Sequence, residues 1–508
     1  MGNYLGIEFG STRIKAVTVD RTYKPVCSGD FTWSSRYENG VWTYDLAQAV
    51  EGLRVVLEQI EDREQIEAVG ISGMMHGYLA FDKDWNLLTP FRTWQNTITA
   101  RAAQELTQLF GFNVPQRWSI AHLYQAVLNG EEHIPRLAHI TTLAGYMHYL
   151  LTGVNAVGIG EASGIFPIDS QNLCYNEQML TKLEERLANE RLPWRVRDVL
   201  PQVLVAGEPA GALTQAGAAL TGGLLAVGTP FAPPEGDAGT GMVATNAVAP
   251  RTGNISAGTS IFSMVVLERE LNNVYEEIDL VTTPAGRPVA MVHCNNCTGD
   301  SNAWVSLFGE AARLFGAEPT IGELFTKLYE TSLEGDADCG GVLTCNYLAG
   351  EGITHLDAGR PMIVRRPEAK FTLANFLRSM LYSTMATLKL GMDILAGEAV
   401  AIDSLTGHGG LFKTPDVGQK YMAAACNAPV SCMETAGEGG PYGMALLAAY
   451  GADKRGCGSL EEYLEQHVFK DVSRVVLKPE AADVDGFNRY MQQYKQLLAV
   501  EKAAVEVF

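Results

Sequence analysis

The segment PPEGDAGTG, residues 233–241, is the most unusual local sequence of the chain. It sets an acidic residue among small ones, on an irregular stretch followed by a small-residue helix start. Asp237 is thus an exposed carboxylate with room around it. Within hydrogen-bond reach of a hydroxyl, it could act as a general base on that nucleophile. The same placement also suits the N-cap of the following helix.

Two further segments carry a second kind of chemistry. Residues 6–19 read GIEFGSTRIKAVTV, and residues 254–267 read NISAGTSIFSMVVL. Each sets a glycine and two hydroxyl residues, Gly10-Ser11-Thr12 and Gly258-Thr259-Ser260, between runs rich in β-branched and apolar residues. Each predicts a strand, a tight turn and a strand. Successive backbone N–H groups in such a turn form an anion nest, and glycine lets a phosphate approach closely. A P-loop is excluded, because the chain contains no Gly-Lys dipeptide. Gly236, Gly239 and Gly241 carry the spacings of a dinucleotide fingerprint in the wrong order.

These residues need a scaffold, and the repeated hairpin suggests one. The two Gly-hydroxyl turns stand almost half a chain apart, so the simplest architecture is two similar α/β domains, 1–248 and 249–508, joined near 245–253. After the first hairpin the pattern predicts a helix over Leu46 to Glu61 and a strand over Ile66 to Ile71. A Gly-rich turn follows at Gly73, then a helix-rich region from about Thr97 to Leu151. The second half repeats this logic. Helical patterns occur in NAWVSLFGEAARLFG, LANFLRSMLYSTMATLKLGMDIL and GPYGMALLAAYGA, and a terminal helix is expected from Asp485 to Phe508.

Composition narrows the function. The 508 residues are 47% hydrophobic and 19% charged, with a formal net charge of −20. That is globular usage. The acidic excess argues against nucleic acid or an anionic membrane as the main partner. No signal peptide is visible at the N-terminus, and the uncharged stretch Pro209 to Pro234 is broken by Gly, Thr and Pro, so the cytoplasm is the expected compartment. Nine cysteines fit a reducing environment. The lone Cys294-x-x-Cys297 pair, with no second pair at zinc spacing, reads as packed or surface thiols.

In order along the chain, GIEFGSTRIKA, SGMMHG with TPFRTW, YLLTG with EASG and Asp169, EGDAGTG, and SAGTS with GHGG and EGGPYGMALLAA resemble the FGGY carbohydrate kinase family, most closely its xylulokinase branch. The likeness runs from about residue 4 to 452. It implies two actin-like ATPase (ribonuclease H-like) domains with an interdomain cleft. The implied reaction is ATP-dependent phosphorylation of a primary hydroxyl on a pentulose such as D-xylulose, with ATP and Mg²⁺ required. By the same resemblance, Asp237 is the catalytic base, and Met75 and His76 contact the sugar. Trp94 and Asn96 belong to the sugar loop. Gly10, Ser11 and Thr12 form the first phosphate loop, and Gly258, Thr259 and Ser260 the second. Gly409 and Gly410, with Gly439, border adenine and ribose. A homodimer is a family-level expectation.

The departures concern Mg²⁺ and the sugar. Glu8 stands where the family has an Asp linked to Mg²⁺ through water. Met74 replaces the Gln before Met-His, Asn96 an Asp, and Glu161 the first residue of a DASG element. Sites that hydrogen-bond a substrate discriminate hydroxyl patterns strongly, so these changes bear on which sugar is used. Residue by residue, plainer readings stand beside these: His76 and Trp94 suit a core, Lys15 an exposed strand end, and Glu8 a buried strand carboxylate. A non-catalytic sugar or nucleotide sensor and a phosphohydrolase of the same superfamily are the alternatives to a kinase.

Overall fold

The computed structural model describes residues 2–433 and 439–508. The chain forms two compact units. The first comprises Met1–Pro250, Asn273–Val289 and Glu438–Val472; the second comprises Arg251–Asn272, Ala290–Gly437 and Ser473–Phe508. Segments from beyond the 248/249 boundary therefore pack with the first unit.

The first unit is built on a five-stranded sheet. Strands β1 (Asn3–Phe9), β2 (Arg13–Val19) and β3 (Pro25–Thr32) form an antiparallel meander. After helix α1 (Leu46–Glu58), capped by the Asp45 side chain, β4 (Ile66–Gly73) returns parallel to β1. Helix α2 (Leu143–Thr152) follows, and the short β5 (Glu235–Gly236) adds parallel to β4 and leads into helix α3 (Asp237–Ala244). The strand order is β5-β4-β1-β2-β3.

The two-residue period of a strand sorts β1 into two faces. Leu5, Ile7 and Phe9 enter a hydrophobic cluster with Leu53 and Val56 of α1 and with Val69 and Ile71 of β4. Each such side chain, fully buried, stabilises the fold by roughly 1.5–3 kcal/mol. Gly6 and Glu8 face the other way, and so do Gly70 and Ser72 of β4.

The second unit repeats this plan. β6 (Thr252–Ala257) turns at Gly258 into the antiparallel β7 (Ile261–Val266), and β8 (Pro288–Cys294) lies beside β7. Helix α4 (Gly299–Leu314) and the 25-residue helix α5 (Leu373–Gly397) follow. β9 (Ser404–His408) lies parallel to β6, helix α6 (Val417–Cys426) comes next, and β10 (Val430–Met433) lies parallel to β9. Helix α7 (Gly439–Ala452) belongs to the first unit, where it covers the Gly6 and Gly70 face of β1 and β4. β11 (Arg474–Leu477) closes the second sheet antiparallel to β10, and the terminal helix α8 (Ala481–Val507) begins four residues before its expected start. Among the described residues, no helix is long and apolar enough to cross a membrane. The cysteines are all free thiols, and Cys294 and Cys297 are buried, as packed thiols should be.

Candidate active site

In the first unit the parallel strands β5, β4 and β1 end side by side, Gly236 opposite Gly73 and Gly73 opposite Phe9. Ligands of parallel α/β sheets bind beyond such carboxyl ends. Asp237 follows β5 directly, as the first residue of α3, with Gly236 as the N-cap. Its Oδ1 accepts the N–H of Ala238 at 2.9 Å and the N–H of Met75 at 3.1 Å. Neither the N-cap nor the exposure expectation is met: Gly236 is the N-cap, and the half-buried Asp237 carboxylate reaches across to the segment that follows β4. Burial raises the Asp237 pKa, and these backbone N–H groups oppose the rise.

Met75 and His76 lie just past β4. His76 is buried, with a left-handed φ of 72° that is uncommon outside glycine. Its Nδ1 lies 3.4 Å from the Gly164 carbonyl, and its ring stacks on Trp118 at 6.3 Å between centroids.

Glu8, near the end of β1, points to the face covered by α7. A β-carbon at Gly440 would overlap the Glu8 carboxyl and stand 3.0 Å from Thr240 Oγ1, so glycine is required for this close approach. Thr240 Oγ1 lies 3.2 Å from Ser72 Oγ, and Ser72 pairs with Glu8 across the strands. Burial first, then the charge of Asp237, pushes the Glu8 pKa up to about 8, while Lys15 pulls it down. Lys15, opposite Glu8 on β2, is thereby more than a strand-end charge. Gly439 belongs with this group: it opens α7 in the first unit, whereas Gly409 and Gly410 lie in the second. Glu438, first residue of the EGGPYGMALLAA motif, lies outside the described residues.

The Gly10-Ser11-Thr12 turn is tight, with the Gly10 N–H donating to the Arg13 carbonyl at 3.0 Å. Trp33 Nε1 donates to the Gly10 carbonyl and Tyr44 Oη to the Ser11 carbonyl, each at 2.7 Å. Trp94 is 38% exposed and its Nε1 donates to Ser11 Oγ, which overturns the core reading of this residue. Asn96 is a correction of another kind. It is 2% exposed, and its amide is used on the backbone: Oδ1 accepts the Trp42 N–H, and Nδ2 donates to the Trp42 and Thr93 carbonyls. It shapes the Trp94 loop and has no amide left for a sugar.

Two buried carboxyls stand behind Asp237. Glu235 accepts the N–H groups of Gly160 and Glu161, and burial pushes its pKa up to about 8. Glu161 is fully buried, and neither of its oxygens has a hydrogen-bond partner of normal geometry. A β-carbon at Gly236 would lie 2.5 Å from Glu161 Oε2. Burial, with Glu235 and Asp237 adding to it, raises the Glu161 pKa well above the carboxylate range, tempered by the Thr142 hydroxyl. Sequence reasoning missed Glu235, although it stands in the motif that drew attention to Asp237.

In the second unit, Gly258-Thr259-Ser260 follows β6, and Gly409 and Gly410 follow the adjacent parallel β9. Gly409 adopts φ 102°, and a β-carbon there would run into the Ala257 carbonyl. The unit thus brings the second turn and the GHGG loop together. Thr298, absent from the sequence reading, bonds the Gly258 carbonyl through its N–H at 3.1 Å and its Oγ1 at 2.8 Å.

Each unit thus carries a Gly-hydroxyl turn at the end of a parallel strand, and the first also sets the Asp237 carboxylate at neighbouring strand ends. The chain belongs to the FGGY family of carbohydrate kinases: the N-terminal domain of that family matches residues 3–244 and the C-terminal domain residues 253–452. It is 21% identical to the xylulose kinase of Haemophilus influenzae, over 97% of this chain and all of that protein. Its fold is similar to those of the ligand-bound xylulose kinase of Lactobacillus acidophilus, with a TM-score of 0.79 and 16% identity over 99% of both chains, and of the gluconate kinase of Lactobacillus acidophilus, with a TM-score of 0.79 and 16% identity over 98% of both.

Proposed function

We propose that this kinase transfers the γ-phosphate of ATP to a hydroxyl of D-xylulose or a related pentulose, with Asp237 as general base. The observation that carries the reading is the two-sided hold on Asp237 Oδ1, by the N–H groups of Met75 and Ala238. This orients the carboxylate and leaves Oδ2 to accept the substrate hydroxyl. As that oxygen bonds to the γ-phosphorus, the bond from phosphorus to the ADP oxygen breaks, and the hydroxyl proton passes to Asp237. Met75 and His76 are assigned to the sugar. Gly10, Ser11, Thr12, Gly258, Thr259 and Ser260 are assigned to phosphate, and Gly409 and Gly410 to the nucleoside. The roles thus divide near 248/249, with the sugar and the base before it. The choice of a pentulose is supported by the names of the relatives.

Mg²⁺ neutralises charge on the phosphate oxygens when bound. Among the described residues no group of three or more His, Cys, Asp or Glu side chains is arranged to hold a metal ion. That suits a cation carried mainly by phosphates and water, with Glu8 as its protein partner. A cation there would favour the charged form of Glu8, which burial and Asp237 now oppose.

The test is Asp237→Ala, assayed for ADP release with D-xylulose and without sugar. Turnover should fall about 10²- to 10⁴-fold, the range of a general base, while the Kd for MgADP stays within about twofold of wild type. Retained turnover would remove Asp237 from the role. Equal ADP release without sugar would favour a phosphohydrolase.

A further inference from the structure

The turn Gly258–Ser260 is held from behind. Besides the two bonds from Thr298 to the Gly258 carbonyl, the Cys297 N–H donates to the Thr259 carbonyl at 2.9 Å. The segment supplying these bonds, Asn295 to Thr298, bridges β8 and α4 and has no regular structure of its own. Its shape is set by Glu351, a buried side chain far along the chain. Glu351 Oε2 accepts the N–H of Asn295 at 2.9 Å, the N–H of Asn296 at 3.3 Å and Asn296 Nδ2 at 3.2 Å. Asn296 Oδ1 in turn accepts the N–H groups of Leu348 and Ala349, and Asn346 Nδ2 donates to the Cys297 carbonyl at 2.8 Å. Glu351, Asn296, Asn346 and Thr298 are all buried. Burial pushes the Glu351 pKa up to about 7 while the bonds from Asn296 and Asn295 pull it down, and a buried network loses more than one bond when its centre is removed.

We propose that Glu351 is a positioning residue for the nucleotide. Acting through Asn295–Thr298, it fixes the backbone of the Gly258–Ser260 turn in the shape that receives phosphate. The inference rests on the assignment of that turn to ATP, and Glu351 itself touches no substrate. The carboxylate's task is to satisfy two backbone N–H groups and an amide that would otherwise leave the segment free to take other shapes.

The experiment measures the Kd for MgADP, the Kd for D-xylulose and thermal stability in three variants. Glu351→Gln keeps one neutral acceptor, and Thr298→Val removes only the hydroxyl link to Gly258. Gly258→Val tests the turn directly, because a β-carbon at Gly258 meets no atom within 4 Å. Expected are a rise in the MgADP Kd of about tenfold for Glu351→Gln and about threefold for Thr298→Val, with the D-xylulose Kd within twofold. The double variant should fall short of the product of the two effects, as for residues on one path. If Gly258→Val leaves the MgADP Kd unchanged, the assignment of the turn to phosphate fails, and the proposal with it. If Gly258→Val weakens MgADP but Glu351→Gln does not, or weakens both ligands equally, the assignment stands and the positioning role of Glu351 is overturned.

Discussion

The two sheets share one plan and differ in what stands at their strand ends. In each, a hairpin's first strand is central, its partner lies antiparallel on one side, and two later strands add parallel on the other: β5-β4-β1-β2-β3 in the first unit, β10-β9-β6-β7-β8 in the second. In the first unit the parallel ends carry Glu8, Asp237 and, behind them, Glu235 and Glu161. In the second they carry Gly258, Thr259, Ser260, Gly409 and Gly410, while its buried Glu351 is set back behind the turn. One frame thus supports two chemistries. The carboxylate-rich end suits proton transfer and a cation, whereas the end with only N–H and hydroxyl groups suits phosphate. The acidic end also holds the Gly10-Ser11-Thr12 turn assigned to phosphate, so Glu8 beside it calls for a cation to offset its charge, which the second end does not need.

The largest test of that contrast is steric. Gly409 holds φ 102° against the Ala257 carbonyl. Gly409→Ala must therefore shift the GHGG loop, at about 1–3 kcal/mol of backbone strain. If the neutral end is the nucleotide end, calorimetry should show MgADP affinity falling more than about tenfold while D-xylulose affinity holds. The reverse pattern would exchange the roles of the two ends.

A smaller effect is expected at the acidic end. Glu8→Gln removes the charge and keeps the shape over Gly440. Turnover at fixed Mg²⁺ should fall about tenfold, and half-maximal rate should require more Mg²⁺, with the D-xylulose KM unchanged. Titration of rate against Mg²⁺ decides this; an unchanged Mg²⁺ requirement would make Glu8 a structural carboxylate only.

Much of the frame was legible because it depends on local pattern. The Gly-hydroxyl hairpins, the helix at 46–58 and the strand from Ile66 follow from period and turn chemistry, and all are present. The helix start at Asp237 was legible from its small neighbours. What stayed hidden depends on distant pairs. The bonds that occupy Asn96 come from Trp42, the reach of Asp237 to Met75 spans 162 positions, and Glu351 meets Asn296 across 55. No spacing within a motif encodes such meetings. Gly439 and Gly409 both stand in Gly-rich stretches of the second half, yet the chain recrosses to the first unit at Gly439.

The finest test uses pH. An acid whose pKa is about 4.5 unfolded and about 8 folded, as for Glu235 and Glu8, holds a proton in the native state that the unfolded chain has released. Stability from this source is full below about pH 4.5 and is lost as pH rises towards 8, because the unfolded state then binds fewer protons. Glu235→Gln fixes the neutral form. It leaves an amide oxygen for the Glu161 N–H and gives up the longer bond from Gly160, 3.3 Å in the wild type. The variant should therefore be slightly less stable than wild type at pH 5 and more stable at pH 8, so that the two melting curves against pH cross. Because Glu8 still titrates, the slope should diminish without vanishing. Parallel curves would mean that Glu235 is already ionised in the folded protein, and the contrast would then rest on Glu8 and Asp237 alone.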